Sequence, residues 1–349
     1  MELKADRDFI YYGVDVAKAY AKFNVNNRFE QQPLELVFSY PFLDNVVLYQ
    51  LDNDHLKQVG RIGLRSGQKP KQRAWSISFL APRKENTTYF LVFDKILGKP
   101  KATDVTLYAS NVYRKVSGLQ TTIIGNYFGF AILSILFAFF IFGLTKDSVF
   151  IGYGVYIISL SIMIGSYLGY ANSFLGAHQQ DTARIVFAIF VELSTVIFVL
   201  FAQQLLQAKK YLPKLKKTLE IVIVVAVVVF KGIIPLIEES LAPIQLAFFM
   251  KMWYSTILFL ISAVFVEVIV YLRHNRKIGS YFVLSYLFMI LGSVLVVLYQ
   301  SIGWIKVTFY GLSHILFASA IEIIFLSITM ALIAGKIYQD RNALANKLL

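Results

Sequence analysis

Seven blocks of apolar residues follow one another along the last two thirds of the chain, and this pattern limits the fold more than any other feature. Each block approaches the length of about 20 apolar residues that a helix needs to cross the hydrocarbon core of a bilayer. The blocks are Ile123–Leu144, Val149–Leu168, Thr182–Leu206, Leu219–Leu236, Leu246–Leu272, Ile278–Leu298 and Leu312–Ile337. Their connections are short. The sequence therefore predicts a membrane protein with a bundle of seven transmembrane helices.

Composition separates the helical part from the segment before it. The chain is 57% hydrophobic and 16% charged, whereas soluble domains average about 45–50% apolar and about 25% charged residues. Residues 1–122 nevertheless carry 18 of the 34 basic and 12 of the 21 acidic side chains. We therefore expect a soluble N-terminal domain at residues 1–117, a seven-helix domain at residues 118–337 and a short cytoplasmic helical stalk at residues 338–349.

The distribution of Lys and Arg predicts the orientation of the helices, because loops rich in these residues stay in the cytoplasm. One set of loops and the C-terminal tail are basic through Lys146, Lys209, Lys210, Lys214, Lys216, Lys217, Arg273, Arg276, Lys277, Arg341 and Lys347. The opposite loops, Gly169–Asp181, Glu238–Gln245 and Tyr299–Gly311, contain a single basic residue, Lys306. We expect the N-terminus outside and the C-terminus inside. These positions also explain the net charge of +13 without a nucleic-acid partner.

The N-terminal part alternates apolar and polar residues with a period of two, which is typical of half-buried strands. Ala19–Asn26 shows this pattern, and it recurs in Pro33–Tyr40, Ala74–Phe79, Thr88–Phe93 and Asp104–Ala109. A further strand, Asn45–Leu51, runs into a hairpin-type turn at Asp52-Asn53-Asp54. Six or more short strands with polar turns predict an all-β sandwich of jelly-roll type, placed outside the cytoplasm.

Catalytic and metal-binding patterns point to no enzyme. The chain has no cysteine, so thiolate chemistry is excluded. It has no His-Glu-x-x-His zinc motif, no Gly-x-Ser-x-Gly elbow and no paired Asp in its helices. The oxygens of Asp52, Asn53 and Asp54 suit Ca²⁺, but a turn needs these residue types anyway. We therefore assign no catalytic residue, no metal and no cofactor.

Two other classes of membrane protein stay open as alternatives. An integral membrane enzyme with a ligand-binding outer domain would reveal itself by turnover. A transporter would carry its ligand into proteoliposomes, although seven helices do not divide into two equal inverted repeats. A simple sugar-binding anchor would need only one helix.

Two stretches carry a resemblance to a known bacterial family. The first runs through the N-terminal part, in Ala19–Asn26, Leu34–Tyr40, Pro41–Tyr49, Gly60–Gly63, Arg73 and Tyr89–Val92. The second is Gly125–Gly129 at the start of the first helix, with Tyr153–Gly169 in the second. The chain resembles the seven-transmembrane receptors with diverse intracellular signalling modules, and its N-terminal part resembles their type 2 extracellular domain.

The resemblance implies a receptor in the bacterial inner membrane that senses a small ligand, such as a carbohydrate, outside the cytoplasm. The bundle would relay ligand occupancy to a cytoplasmic output module, which is a histidine kinase, a diguanylate cyclase or a phosphatase in the family. The chain stops soon after the last helix and begins with a polar segment, Met1–Ile10. We therefore expect a truncated receptor, with a signal peptide before Met1 and an output module after Leu349.

The end of the chain carries a short apolar repeat. Ile333, Ile337, Leu344 and Leu348 are four, seven and four residues apart, the a/d spacing of a coiled coil. This spacing predicts a stalk that joins two copies into a homodimer. A frayed helix end is the alternative interpretation.

Ionisable residues inside the membrane are costly and mark functional candidates. Glu192 and Glu322 each lie ten residues into a helix from its predicted outer end, at a depth of about 15 Å. With His314, near the outer end of the last helix, they are our candidates for an intramembrane relay. The alternative is a neutral carboxyl group that only holds helices together.

Ligand-binding candidates in the N-terminal domain are Arg61, Arg65, Arg73 and Tyr49. Arginine side chains with tyrosine in a β-domain are suited to binding a carbohydrate through hydrogen bonds and ring contacts.

Overall fold

The N-terminal part of the chain folds into strands and the rest into helices, as the two kinds of periodicity predict. The computed structural model describes residues 9–11, 18–27, 33–52, 54–67, 73–82, 86–94, 102–171, 180–233, 243–302, 308–309 and 312–348. The chain divides into two compact units. One comprises residues 1–127, 162–189 and 291–317, and the other residues 128–161, 190–290 and 318–349.

Two antiparallel four-stranded sheets make up the β-rich part of the first unit. The strands are β1 Phe9–Tyr11, β2 Lys18–Asn26, β3 Pro33–Phe38, β4 Asn45–Asp52, β5 His55–Ile62, β6 Trp75–Leu80, β7 Asn86–Asp94 and β8 Ala102–Ala109. The first sheet has the order β1-β8-β3-β6 and the second the order β2-β7-β4-β5. All six predicted strands are confirmed. The predicted hairpin joins β4 to β5, with Asp52 paired to His55; Asn53 lies outside the described residues.

The two sheets pack against each other through their apolar faces. Phe38 of the first sheet meets Phe93 of the second with 6.2 Å between ring centroids, and Phe79 meets Tyr89 at 5.0 Å. Trp75 is buried between them, and its Nε1–H donates a hydrogen bond of 2.8 Å to the carbonyl of Pro41. The predicted all-β sandwich is therefore confirmed.

Seven long helices follow the strands in the described chain. They are α1 Ser110–Thr145, α2 Ser148–Tyr167, α3 Gln180–Leu205, α4 Pro213–Val227, α5 Pro243–His274, α6 Arg276–Ile302 and α7 His314–Leu348. A single helical turn, Ala208–Tyr211, precedes α4, and a π-helical segment, Val228–Ile233, follows it. The short strands β9 Thr308–Phe309 and β10 Leu312–Ser313 pair just before α7.

Within the described chain, six of these helices contain a stretch long and apolar enough to cross a membrane. The remaining helix, α4, has 15 residues and continues into the π-helical segment. The predicted fourth block, Leu219–Leu236, ends three residues after the π-helical segment. Residues 234–236 lie outside the described residues. Large apolar side chains on α1 face outward, including Leu133, Leu136 and Phe140, which are 60–64% exposed. Such a surface is compatible with lipid rather than water.

Helix α1 begins at Ser110, earlier than the predicted Ile123, and directly after β8. The hydropathy pattern missed this part because residues 110–122 are largely polar, yet they contain no proline and form regular helix. The helix is tied to the strands at its start. The Ser110 hydroxyl donates a 2.9 Å hydrogen bond to the carbonyl of Pro33, and the rings of Tyr108 and Tyr113 stack at 5.8 Å.

Candidate functional site

A buried hydrogen bond joins α2 to α7 inside the second unit. The hydroxyl of Tyr156 donates to Oε1 of Glu322 over 2.7 Å. Glu322 is 0% exposed, and its second oxygen, Oε2, has no hydrogen-bond partner among the described residues. A buried carboxyl group with one donor and no cationic partner is costly to ionise. The carboxyl group of Glu322 therefore depends on the Tyr156 hydroxyl as its hydrogen-bond donor in an apolar environment.

A second set of hydroxyl groups continues this contact along α7. The Tyr153 hydroxyl lies 2.8 Å from the Ser327 hydroxyl, which in turn lies 3.2 Å from the hydroxyl of Ser134 on α1. Three helices, α1, α2 and α7, thus share one chain of hydroxyl groups. Ser134 also donates to the carbonyl of Phe130 within α1 at 3.0 Å. The contacts through Ser327 add hydrogen bonds between helices, which stabilise their packing modestly.

Aromatic rings from two other helices, α3 and α6, form a cluster with Tyr156. Its ring lies 5.2 Å from the ring of Phe198 and 6.1 Å from that of Phe201, both on α3. Phe198 also stacks on Tyr286 of α6, at 5.6 Å with an interplanar angle of 10°. Tyr156, the hydrogen-bond donor to Glu322, is therefore held by packed rings. A movement of α3 or α6 would displace these rings and change the hydrogen bond to the carboxyl group.

The other two relay candidates take no part in the Tyr156–Glu322 hydrogen bond. Glu192 is half-buried on α3. His314 is the first residue of α7 and is half-buried, and its Nδ1 has no hydrogen-bond partner in the described part of the chain. The hydrogen bond of Glu322 to Tyr156 joins two helices, which makes Glu322 the relay candidate with a defined contact between helices.

At the other end of α1, the predicted stalk makes a direct contact. Arg341 donates hydrogen bonds to the carbonyls of Leu144, at 3.3 Å, and Thr145, at 2.6 Å. Carbonyls in the last turn of a helix have no partner within the helix, and a cation there is favourable. The predicted helical stalk is thus continuous with α7 and caps α1.

In the first unit, the side of the second sheet that points away from the core carries two of the predicted ligand-binding residues. We call this surface the Tyr49 face. It comprises Tyr20 and Lys22 of β2, Asn45, Val47 and Tyr49 of β4, Arg61 of β5, and Phe90 and Asp94 of β7.

Aromatic side chains occupy the middle of the Tyr49 face. Tyr49 is paired across the strands with Phe90, and Lys22 pairs with Phe90 from the other side. The ammonium group of Lys22 lies 5.8 Å from the centre of the Phe90 ring. Tyr20 is 58% exposed. Rings in adjacent rows of a sheet form a flat apolar platform.

Polar side chains border this platform at one end. Arg61 donates from Nε to Oδ1 of Asn45 over 2.6 Å, and Asn45 donates from Nδ2 to Oδ2 of Asp94 over 2.8 Å. Lys18 lies 3.5 Å from the other carboxylate oxygen of Asp94. The sheet thus places a guanidinium, an amide and a carboxylate side by side, next to the aromatic rings.

Arg65 and Arg73 lie away from the centre of the Tyr49 face. The side chain of Arg65 is exposed, and its backbone N–H donates a 2.8 Å hydrogen bond to the carbonyl of Asp44. Arg73 instead contacts the side chain of Gln120, inside α1, and the carbonyl of Leu168, just after α2. Burial lowers the pKa of the Arg73 guanidinium from its ordinary value. The structure thus brings Arg61 and Tyr49 together and separates Arg73 from them.

Arg184 of α3 forms an ion pair with Asp44, in the loop between β3 and β4. Their side chains are 16% and 2% exposed, respectively. Sequence reasoning missed this pair because the two residues are 140 positions apart and neither belongs to a motif.

Comparison with known families identifies the helical part. Residues 120–332 match the family model described as 7TM diverse intracellular signalling. The chain belongs to this family. The match spans the region from the first predicted block to the seventh, which confirms the resemblance. No curated protein matches the sequence.

Membership in the 7TM diverse intracellular signalling family gives the buried contacts a context. Members are signalling receptors, so the chain is a multi-pass membrane receptor of this kind. Sequence reasoning had found Glu322 by its charge within an apolar block. It missed Tyr156, Tyr153 and Ser327, because tyrosine and serine are common in transmembrane helices and only the fold shows which of them meet.

Proposed function

We propose that this receptor binds a small ligand outside the cytoplasm on the Tyr49 face and relays its occupancy through the helices to the cytoplasmic end of α7. The observation that carries the proposal is the row of Tyr49, Phe90 and Lys22 beside Arg61 and Asn45. Tyr49 and Phe90 are half-buried and Tyr20 is exposed. Rings on the solvated side of a sheet stabilise the domain little, but they can bind a ligand that has an apolar surface.

Carbohydrate is the ligand class that this face suits best. A sugar ring has an apolar face of C–H groups and a rim of hydroxyl groups. Tyr49 and Phe90 would pack against the apolar face. Arg61 and Asn45 supply donors, and Asp94 supplies acceptors, for the hydroxyl groups. Arg65 and Arg73 are the other two ligand-binding candidates from the sequence, and both lie away from the centre of the Tyr49 face.

The strand order supports the assignment of the β-domain to the jelly-roll class and to the family's type 2 extracellular domain. Both sheets combine strands from the beginning, middle and end of the domain, β1-β8-β3-β6 and β2-β7-β4-β5. This arrangement arises when a long antiparallel hairpin folds over as two Greek keys. We propose the domain boundaries 1–117, 118–337 and 338–349.

The loop charges support an orientation with the β-domain outside and the stalk inside, in a bacterial inner membrane. The stalk presents large side chains for pairing with a second copy, because Tyr338 is 66% and Leu344 61% exposed. We propose that the stalk forms a homodimer and links the helices to an output module such as a kinase or cyclase. The helices themselves then have no catalytic role.

Relay through the helices would use Glu322, with Glu192 and His314 as further candidates. Support comes from the position of Glu322, whose hydrogen bond joins α2 to α7 beside the rings of α3 and α6. A change in helix packing would alter this bond, and α7 continues directly into the stalk.

Binding of defined sugars to the full chain tests the proposal. Isothermal titration against glucose, galactose, mannose, N-acetylglucosamine and maltose should find a binder among them. Tyr49→Ala and Arg61→Met should abolish that binding. Arg114→Met changes an exposed arginine on α1, away from the Tyr49 face, and should leave it intact.

Equal binding by wild type, Tyr49→Ala and Arg61→Met would show that the site is elsewhere. Absence of binding by every sugar would exclude this set of carbohydrates as the ligand. Uptake of a bound sugar into proteoliposomes would instead indicate a transporter.

A further inference from the structure

The ion pair between Asp44 and Arg184 ties the β-sandwich to the start of α3. Besides Asp44, Arg184 contacts the carbonyl of Phe42 at 3.4 Å. Two charges withdrawn from water lose their hydration, and apolar residues of similar size often hold a contact equally well. A buried ion pair therefore contributes little net stability. Its main effect is to fix the position of the two groups relative to each other.

Apolar packing around the pair makes the first turns of α3 part of the sandwich core. Ala183 is 0% exposed and belongs to the same cluster as the strand residues. The ring of Phe187 lies 5.1 Å from that of Phe42 and 5.4 Å from that of Tyr167, at the end of α2. A displacement of the loop that carries Phe42 and Asp44 is therefore transmitted to α3 by contact.

The same loop is joined to the Tyr49 face by the next residue along the chain. Asn45 follows Asp44, and its side chain accepts the hydrogen bond from Arg61. Arg65 donates its backbone N–H to the carbonyl of Asp44, while its own carbonyl accepts from Arg61 at 3.4 Å. The segment Asp44–Asn45 is thus held by Arg61 on one side and by Arg184 on the other.

Close backbone approach fixes this segment further. Gly63 has a φ of +118°, and a Cβ there would lie 2.7 Å from the carbonyl oxygen of Asp44. Leu64 donates its backbone N–H to the carbonyl of Leu43 over 2.7 Å. The loop before β4 and the loop after β5 therefore move together, because their backbones are in contact and neither has room to shift past the other.

We propose that Asp44 and Arg184 are positioning residues that transfer occupancy of the Tyr49 face to the third transmembrane helix. The pathway runs from Arg61 through Asn45 to Asp44, then across the ion pair to α3. This inference rests on the proposed function for the identity of the signal. The energetic coupling itself exists without a ligand and is measured without one.

Hydrogen exchange of backbone amides in the full chain, in lipid nanodiscs, measures that coupling. Arg61→Met removes the donor to Asn45 on the Tyr49 face. It should raise exchange at residues 184–190 of α3 by about two- to thirtyfold, the range that coupling between residues of one network produces. In an Asp44→Asn background, which keeps the shape of the side chain and removes its charge, Arg61→Met should have no further effect on α3.

Matched variants separate coupling from general loosening. Arg114→Met removes an exposed arginine of α1 and should leave exchange in α3 unchanged. Arg184→Lys retains the charge and should preserve part of the coupling. With Trp253 and Trp304 replaced by Phe, emission from Trp75, whose Nε1–H is bonded to the carbonyl of Pro41, reports whether the sandwich is folded. If Asp44→Asn loses that signal, Arg184→Gln provides the uncoupled background.

Two results would overturn the proposal. In the first, Arg61→Met changes exchange only near residues 44–45 and not in α3. In the second, it changes α3 equally with and without the ion pair. Failure of every tested sugar to bind, with the coupling present, would exclude those sugars as ligands and leave the coupling intact, so the two failures are distinguishable.

Discussion

Arg341 caps Thr145, the last residue of α1, through a hydrogen bond of 2.6 Å from its guanidinium group to the carbonyl oxygen. The contact joins the end of the first helix to the C-terminal part of the last helix, α7. It places a positive charge at the negative end of the α1 dipole. The hydrogen bonds of Arg341 therefore link the end of α1 to the C-terminal part of α7.

Loss of this cap should loosen the last turn of α1. Arg341→Ala removes an interaction of about 0.3–1 kcal/mol, so hydrogen exchange at residues 141–145 should accelerate by up to about fivefold. Lys347→Ala removes another exposed basic residue of α7 and should have no effect there. Equal exchange in wild type and Arg341→Ala would show that the cap does not form in the membrane.

Substitutions at Glu322 distinguish a relay from a structural contact. Glu322→Gln keeps an acceptor for Tyr156, so the thermal stability of the purified chain should stay close to that of wild type. Glu322→Leu and Tyr156→Phe each remove the hydrogen bond and should destabilise the bundle by about 0.6 kcal/mol on average. If Glu322 takes part in relay, Glu322→Gln should also change the output of a receptor joined to its signalling module, since Gln cannot release a proton.

The companion variant is Glu192→Gln, which tests the other carboxyl candidate, half-buried on α3. Wild-type output from Glu322→Gln and Glu192→Gln alike, across the working pH range, would exclude a relay through these carboxyl groups. A Tyr156→Phe variant as stable as wild type would show that the Tyr156 hydrogen bond contributes nothing to stability.

Gly169 is a position where a side chain has no room. Its φ is +92°, and a Cβ would clash with the carbonyl oxygen of Arg73. Gly169→Ala should therefore destabilise the protein by about 1 kcal/mol or more. Gly118→Ala, in α1 with open space around it, should stabilise by about 0.5–1 kcal/mol instead. Thermal unfolding followed through Trp75 measures both; a neutral Gly169→Ala would mean that the loop moves away freely.

Much of the fold was predictable from periodicity alone. In β2, Ala19, Ala21, Phe23 and Val25 face the sandwich core, and the residues that alternate with them face outward, as the alternation predicted. This works because burial on one face of a strand imposes a period of two on the sequence. The apolar blocks were predictable for a similar reason, since lipid selects apolar side chains over a fixed length.

The contacts that link elements were not predictable in this way. Arg184 looked like an ordinary charged residue near a helix end, and Asp44 like a turn residue. Their pairing depends on how the loop before β4 meets α3, which no local pattern encodes. Glu322 was identifiable by its charge in an apolar block, but its donor, Tyr156, was not. Local sequence indicates which groups need partners, and only packing determines the partners.

The orientation of the helices remains a prediction, and reporter fusions test it. A reporter that is active only outside the cytoplasm should work when it is fused at Asp181 or after Gln245. A reporter that is active only in the cytoplasm should work at Lys210 or Lys277. The reason is the concentration of basic residues in the second pair of loops. The opposite pattern at any two of these sites would reverse the topology.

The direct passage from Ala109 at the end of β8 to Ser110 at the start of α1 constrains how receptors of this type can be recombined. Each residue added inside a helix rotates everything after it by about 100° and extends it by about 1.5 Å. A chimera spliced after Ala109 with one extra residue would therefore turn the Tyr113 side of α1 away from Tyr108. An insertion of about seven residues, close to two full turns, would restore the angle. Helical phase, rather than sequence similarity at the splice, should determine which exchanged sensor domains remain connected to their helices.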